Sequence, residues 1–141
     1  MKIEITTTPN QADMEFLSQR IQAFNRESVH GIPEVAQDLK FAVFVRDTDG
    51  KLVGGIRASA YWGYLHIELL WLSAEARGNG IGTQLVKQAE DFAIEHGFRH
   101  ARVETTSFQA KPFYEKQGYA VYGVLDNFPE GHKSFYLSKC L

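Results

Sequence analysis

The segment LLWLS-AEA-RGNGIGTQLV, Leu69 to Val86, runs from a nearly unbroken apolar stretch through three glycines, Gly78, Gly80 and Gly82, into a helical pattern. Glycine in a helix interior costs about 1 kcal/mol relative to alanine. Three of them at a helix entry therefore mark a place where backbone rather than side chains must be presented. A helix start leaves its first N–H groups without partners and carries the positive end of the macrodipole. Removing side chains there lets an anion such as a phosphate come close. A tight strand-to-helix turn with no ligand accounts for the same residues. The nucleotide fingerprints do not fit. No lysine follows Gly82, as GxxxxGK[ST] requires, and Thr83 stands where GxGxxG needs its last glycine.

The pattern on either side sets the fold class. KIEITTT, Lys2 to Thr8, alternates and reads as a first strand. From Asp13 to Ser28, Phe16, Leu17, Ile21 and Phe24 recur at helical spacing, and HGIP, His30 to Pro33, breaks that helix. EVAQDLK, residues 34–40, reads as a short helical piece. FAVFVRD and LVGGIRASAYWG form a hairpin about the turn Asp47 to Gly50, and Gly54 and Gly55 mark a bulge or a close backbone approach. YLHIELLWLS is apolar enough to be a central strand covered on both faces. The helix after the glycines buries Ile81, Leu85, Ala89, Phe92 and Ala93 and stops at Gly97. HARVETT is a strand. Thr106 or Ser107 is placed to cap a short helix, QAKPFYEKQ, and YAVYGVL and HKSFYLSK are the last strands. This order predicts one α/β domain over residues 1–141 with a mixed sheet.

Composition narrows the partners. With 141 residues, 44% hydrophobic and 23% charged, the chain is ordinary for a soluble globular domain. A net charge of −2 offers no basic footprint for nucleic acid or an anionic membrane. No apolar run reaches the roughly 20 residues that span a bilayer, and MKIEITTTPNQ lacks a signal peptide's apolar stretch. A cytoplasmic protein is expected. The single Cys140 excludes an internal disulfide and reads as a packing residue.

Arg77-Gly78-Asn79-Gly80-Ile81-Gly82 resembles the R/Q-x-x-G-x-G/A signature of the GCN5-related N-acetyltransferases, the GNAT superfamily. Ala110, Phe113-Tyr114 and Gly118-Tyr119 match that family's later pattern, A-x-x-F-Y-x-x-x-G-F/Y. The resemblance covers about residues 40–141 and is greatest to small bacterial acetyltransferases of undefined acceptor. It implies a GNAT-like α/β fold with a mixed, mostly antiparallel central sheet flanked by helices, and acetyl-CoA as co-substrate. Gly78, Asn79, Gly80, Ile81, Gly82 and Thr83 would cradle the pyrophosphate, with Arg77 helping to hold it. The backbone edge of Leu70, Trp71 and Leu72 would pair with the pantetheine arm, leaving their side chains to the core. Where the family often has an asparagine, this chain has Ser107, whose hydroxyl is a shorter substitute.

Acetyl transfer to an amine needs a neutral amine, a donor for the developing oxyanion, and a proton for the departing thiolate. Tyr114 is the candidate acid, because the family places such a tyrosine by the sulfur. Aromatic packing is the alternative role, and the one expected of Tyr119. His66 and Glu68 share a face of the central strand and are the candidate bases. A structural bond, such as Glu68 to Arg57 across the hairpin, is the competing reading, and Glu104 is a weaker candidate. Tyr61, Trp62 and Tyr64 pack around a turn or wall the acceptor pocket. His96 and His100 are four apart, but Gly97 breaks the helix between them, so no metal is expected.

The reading is direct transfer of an acetyl group from acetyl-CoA to an amine of a small molecule or peptide. The rival is a CoA-binding regulatory or assembly module without catalysis. A protein or tRNA acyltransferase would want a basic or extended docking surface that the composition lacks. The superfamily often forms dimers, so a homodimer stays open.

Overall fold

The computed structural model describes residues 1–33 and 38–141. Contacts divide the chain into two compact units, Met1–Glu34 and Val35–Leu141.

In the first unit, helix α1 spans Gln11–Ser28. It begins at Gln11 because Asn10 caps it, the side-chain oxygen accepting from the Ala12 amide at 2.8 Å. The strand expected over Lys2–Thr8 does not form; residues 1–6 have no regular structure. Alternation makes a segment fit for a sheet, but a strand exists only when another backbone pairs with it. The expected helical piece over residues 34–40 lies largely outside the described residues, and its end, Leu39 and Lys40, opens a strand instead.

The second unit is a six-stranded mixed sheet. Its strands are β1 Leu39–Arg46, β2 Leu52–Tyr61, β3 Tyr64–Leu72, β4 His100–Thr106, β5 Ala120–Asp126 and β6 Lys133–Cys140. Their spatial order is β1-β2-β3-β4-β6-β5, and only β3 and β4 run parallel. Helix α2, Ile81–Glu95, makes the crossover link that a parallel pair requires. Helix α3, Lys111–Lys116, joins β4 to β5.

Period-2 burial is clear on β2, where Ile56, Ala58 and Ala60 are buried and point to the same side as Leu65 and Ile67 of β3, Ala101 and Val103 of β4 and Leu137 of β6. Leu85, Val86, Ala89 and Ala93 of α2 close over them. Small residues dominate β2 because the strands pack tightly: a Cβ on Gly54 would stand 2.8 Å from the Trp71 carbonyl oxygen. The opposite face carries Arg57, Ser59, His66, Arg102 and Tyr136, none of them buried. β3 is therefore central but covered on one face, not two. Its apolar residues Leu69 and Trp71 are 45% and 53% exposed.

The α3 cap also differs from expectation. Neither Thr106 nor Ser107 caps it; Ala110 is the N-cap residue, and its amide donates to the Thr105 hydroxyl at 3.1 Å. Pro112 sits in the first turn, where its missing N–H costs nothing.

Candidate active site

β3 ends at Leu72, and a 3-10 turn, Ala74–Ala76, leads to the glycines. Gly78 and Gly80 have φ of +82° and +72°, and a Cβ on either would meet nothing within 4 Å. The loop thus needs glycine for its left-handed backbone, and the space above it is open. Gly82 serves differently. A Cβ there would lie 3.3 Å from the Phe113 ring, so its absence lets α2 approach α3. Gly80 is the N-cap of α2 and offers no side-chain cap, and the first helical bond from it runs from the Gln84 amide to the Gly80 carbonyl at 3.1 Å. The amides of Ile81, Gly82 and Thr83 are left for an anion. Thr83 accepts through its hydroxyl from Gln117 Nε2 at 3.1 Å, tying the loop to the end of α3. Arg77 is anchored beside the loop by its Nε donating to the Leu72 carbonyl at 3.0 Å. Asn79 is exposed and stands off the cleft wall.

The cleft itself comes from one extra residue. Opposite β2, Arg57 faces Leu69 and Ala58 faces Ile67, so Glu68 is a β-bulge. The parallel ladder with β4 stops at Ile67–Val103. Beyond it the strands part, and the β4-facing edge of Glu68–Leu72 has no strand partner. A cavity of about 840 Å³ fills the gap. Leu70, Trp71 and Leu72 form one wall, the glycine loop its mouth, and Tyr114 and Phe113 the other wall. Leu72 and Leu70 belong to the core, as expected, whereas the Trp71 side chain stays out of it.

Tyr114 is 5% exposed and lines this cavity. Burial alone pushes its hydroxyl up to about 12, with no hydrogen bond from the protein contributing. It is a protonated donor without an internal acceptor. Tyr119 is the contrast: its hydroxyl donates to Glu90 Oε1 at 2.9 Å, and Lys139 Nζ holds both Glu90 oxygens at 3.0 and 2.9 Å. Tyr119 is thus core, as expected.

Glu68 and Glu104 both line the cavity where the strands part. Desolvation pushes the Glu68 carboxyl up, but hydrogen bonds from Arg57 and Ser59 and the Arg57 charge outweigh it and hold the group below the usual range. The cross-hairpin bond exists, with Arg57 Nε donating to Glu68 Oε2 at 2.6 Å. Glu104 Oε1 accepts from the Ser134 hydroxyl at 2.9 Å. His66 is half-buried on the same face but off the cavity wall. Desolvation and then the Arg102 charge lower its pKa, against the pull of Glu68 and Glu104. Ser107 is also off the wall; its hydroxyl accepts from the Lys133 amide at 3.3 Å and lies 3.3 Å from His132 Nδ1.

Gln109 was not singled out by sequence reasoning and lines the cavity, its side-chain oxygen accepting from the Thr106 amide at 3.0 Å. Its one signal was its place between the end of β4 and the Ala110 of the second motif. His96 Nδ1 lies 2.8 Å from the Phe92 carbonyl, and His100 stacks on Tyr64 with centroids 4.8 Å apart. Among the described residues no group of three or more His, Cys, Asp or Glu is placed to hold a metal ion, and no helix is long and apolar enough to cross a membrane.

A loop of free amides, an unpaired strand edge leading inward and a buried phenol at the end suit a long thioester with a phosphate at one end. The family model described as "Acetyltransferase (GNAT) family" matches residues 7–119. The chain belongs to that family. This GNAT protein is an acetyl-CoA-dependent N-acetyltransferase, and bound acetyl-CoA supplies the activated acetyl thioester. It is 38% identical over 100 residues to the blasticidin-S acetyltransferase of Streptomyces morookaense, across 70% of this chain and 74% of that one. It is 35% identical over 99 residues to the streptothricin acetyltransferase of Streptomyces lavendulae, across 64% of this chain and 52% of that one. A crystal structure of an acetyltransferase from Bacillus cereus ATCC 14579 superposes with a TM-score of 0.86 at 29% identity, covering 98% of both chains.

Proposed function

We propose that this GNAT protein acetylates a primary amine of a small, cationic molecule, as one acetyltransferase domain working in the cytoplasm. The observation that carries this is the pair of cavity-lining carboxylates, Glu68 and Glu104, at the vertex where β3 and β4 part, with the Tyr114 hydroxyl on the facing wall of the same cavity. Two carboxylates attract an ammonium ion and accept its hydrogen bonds. The names of two relatives, acting on blasticidin S and on streptothricin, support a small-molecule amine over a peptide.

The residues divide the work. The amides of Gly78, Gly80, Ile81, Gly82 and Thr83, with Arg77, hold the pyrophosphate, and the free edge of Leu70–Leu72 aligns the pantetheine arm. Gln109 and Phe108 line the cavity on the β4 side. Ser107 and Asn79 stand back from it, and Ser107 ties its loop to Lys133. Glu68 draws a proton from the bound ammonium through water. Its carboxyl, held low by Arg57, stays ionised through the working pH range, so its charge is available to attract and orient the ammonium and the relaying water. His66 stays largely neutral at pH 7, since its pKa lies below the ordinary imidazole value, and adds no positive charge beside the amine. Tyr114 protonates the departing sulfur.

A pH–rate profile of Glu68→Gln and His66→Gln with one acetylated amine tests the assignment. Glu68→Gln should lower kcat/KM about 10²-fold at pH 7 and partly recover toward pH 9–10, where more free amine exists. His66→Gln should be milder. The reverse ranking transfers the base to His66, and wild-type rates in both variants remove the strand from proton transfer.

A further inference from the structure

The turn between β2 and β3 breaks a local rule. Trp62 and Gly63 form its two central residues with φ of +50° and +82°. A two-residue hairpin of that kind selects Asn, Asp or Gly at both positions. A bulky residue with positive φ is held against its preference. The indole it projects is 54% exposed, and its neighbours Tyr61 and Tyr64 are 37% and 39% exposed. Tyr122 of β5, 60% exposed, stands with them around a second cavity of about 500 Å³, whose remaining lining is Arg102 and Ser138. Four aromatic side chains around ligand-sized space, with few polar groups, is the make-up of a small-molecule subsite.

The polar group has a direction. Arg102 Nη2 donates to the Tyr61 hydroxyl at 2.9 Å, and the guanidinium carbon lies 5.9 Å from that ring's centroid. Its bond is to a phenol, not a carboxylate, so its charge is not neutralised by the pair. On β4, Arg102 and Glu104 share a face two residues apart, a spacing of roughly 7 Å. The open face of the sheet therefore runs from an aromatic, cationic end at Arg102 to the carboxylates of Glu104 and Glu68, the second of them paired with Arg57, where the acetyl cleft begins.

We infer that the second cavity holds the rest of the acceptor: a planar ring carrying a carboxylate or ring-carbonyl oxygen, stacked among Tyr61, Trp62, Tyr64 and Tyr122 with its oxygen on Arg102, while its amine reaches Glu104 and Glu68. The flat ring matches the aromatic walls, and the oxygen matches the planar donor fork of arginine. The inference rests on the proposed amine transfer for the direction in which the molecule lies.

The test is calorimetry on the CoA-saturated protein with four probes: 4-(aminomethyl)benzoate, 5-(aminomethyl)uracil, benzylamine and putrescine. The first carries its oxygen as a carboxylate and the second as a ring carbonyl, so they separate the two chemistries. At least one should bind ten times more tightly than both benzylamine and putrescine. Arg102→Met and Trp62→Asn should each erase that preference without weakening putrescine binding. Asparagine suits the turn, so Trp62→Asn removes the ring without disturbing the hairpin, and an unchanged melting curve verifies this. Binding of all four probes within twofold overturns the subsite, as does a preference that survives Arg102→Met. Thiol release from acetyl-CoA reports separately: ring-selective binding without acetylation of any probe refutes the transfer reading and leaves the subsite standing.

Discussion

Replacing Tyr114 with phenylalanine removes one oxygen and one proton from the centre of the cleft. Among the described residues no group hydrogen-bonds that hydroxyl, so the change orphans no buried donor or acceptor there. Folding stability at pH 7 should stay within about 1 kcal/mol, the worth of a net hydrogen bond that is not being lost. Acetyl-CoA affinity should be retained, because the ring still packs edge-on against Phe113 at 5.1 Å and Tyr119 at 5.7 Å. Turnover should fall about 10²-fold, the usual scale of a general acid, which is about 2.7 kcal/mol of barrier. Alkaline stability provides a check on burial that is independent of catalysis. The native hydroxyl ionises near 12 against 10.0 in the open chain. The raised value means that its stabilising contribution is whole below pH 10 and is lost as the unfolded chain sheds its proton first. The loss is about 1.4 kcal/mol per pH unit up to pH 12. Tyr114→Phe lacks this component, so its stability should fall less steeply than wild type over that range. Thiol release from acetyl-CoA across pH 6 to 9, calorimetry with acetyl-CoA, and urea melts at pH 7 and 11 measure all three. Near-normal turnover with intact binding would refute the acid role and leave Tyr114 a packing residue.

Two further outcomes are expected. Gly80→Asp is sterically free, and aspartate tolerates positive φ better than most residues, so the protein should fold. A carboxylate at the amide cluster should nonetheless weaken acetyl-CoA binding by about 3 kcal/mol, roughly a hundredfold in Kd, and unchanged affinity by calorimetry would take the loop out of the cofactor site. Glu90→Ala strips the buried carboxylate from Tyr119 and Lys139; with Lys139 only a quarter exposed, it should cost about 3 kcal/mol and lower Tm by about 10 °C. A melt within 2 °C of wild type would show that Lys139 finds water freely.

The most legible parts of the chain were those whose physics is local. β4 occupies His100–Thr106, the segment HARVETT that read as a strand, and α2 begins at the residue after the glycine that opens it. The glycine loop reads directly because positive φ is a property of single residues. What was hidden depends on partners distant in sequence. Lys2–Thr8 has a strand's alternation and no pairing backbone. Thr105, not Thr106 or Ser107, reaches the start of α3, because which hydroxyl points that way depends on the face β4 turns to the core. Arg102 read as one charge among fifteen until the hairpin brought Tyr61 to it.

The bulge at Glu68 is the clearest case, because it could not be seen in the strand's own pattern and yet it organises the site. Run on without it, β3 would continue its alternation past Ile67 and turn Leu69 and Trp71 toward the helices, with Leu70 and Leu72 outward. The observed burial is the reverse: Leu72 is 9% exposed and Leu70 packs on the core, whereas Leu69 and Trp71 lie open. The extra residue therefore resets the pleat so that the second half of β3 can cover α2 and the loop with its leucines. The ladder to β4 stops beside the same kink, at Ile67–Val103, and the free backbone edge beyond it is where the proposed function seats the pantetheine arm. It also leaves Glu68 on the side of His66 and Arg57 rather than in the core. One inserted residue thus sets both the free edge of β3 and the position of Glu68, whose carboxylate pairs with Arg57 across the hairpin.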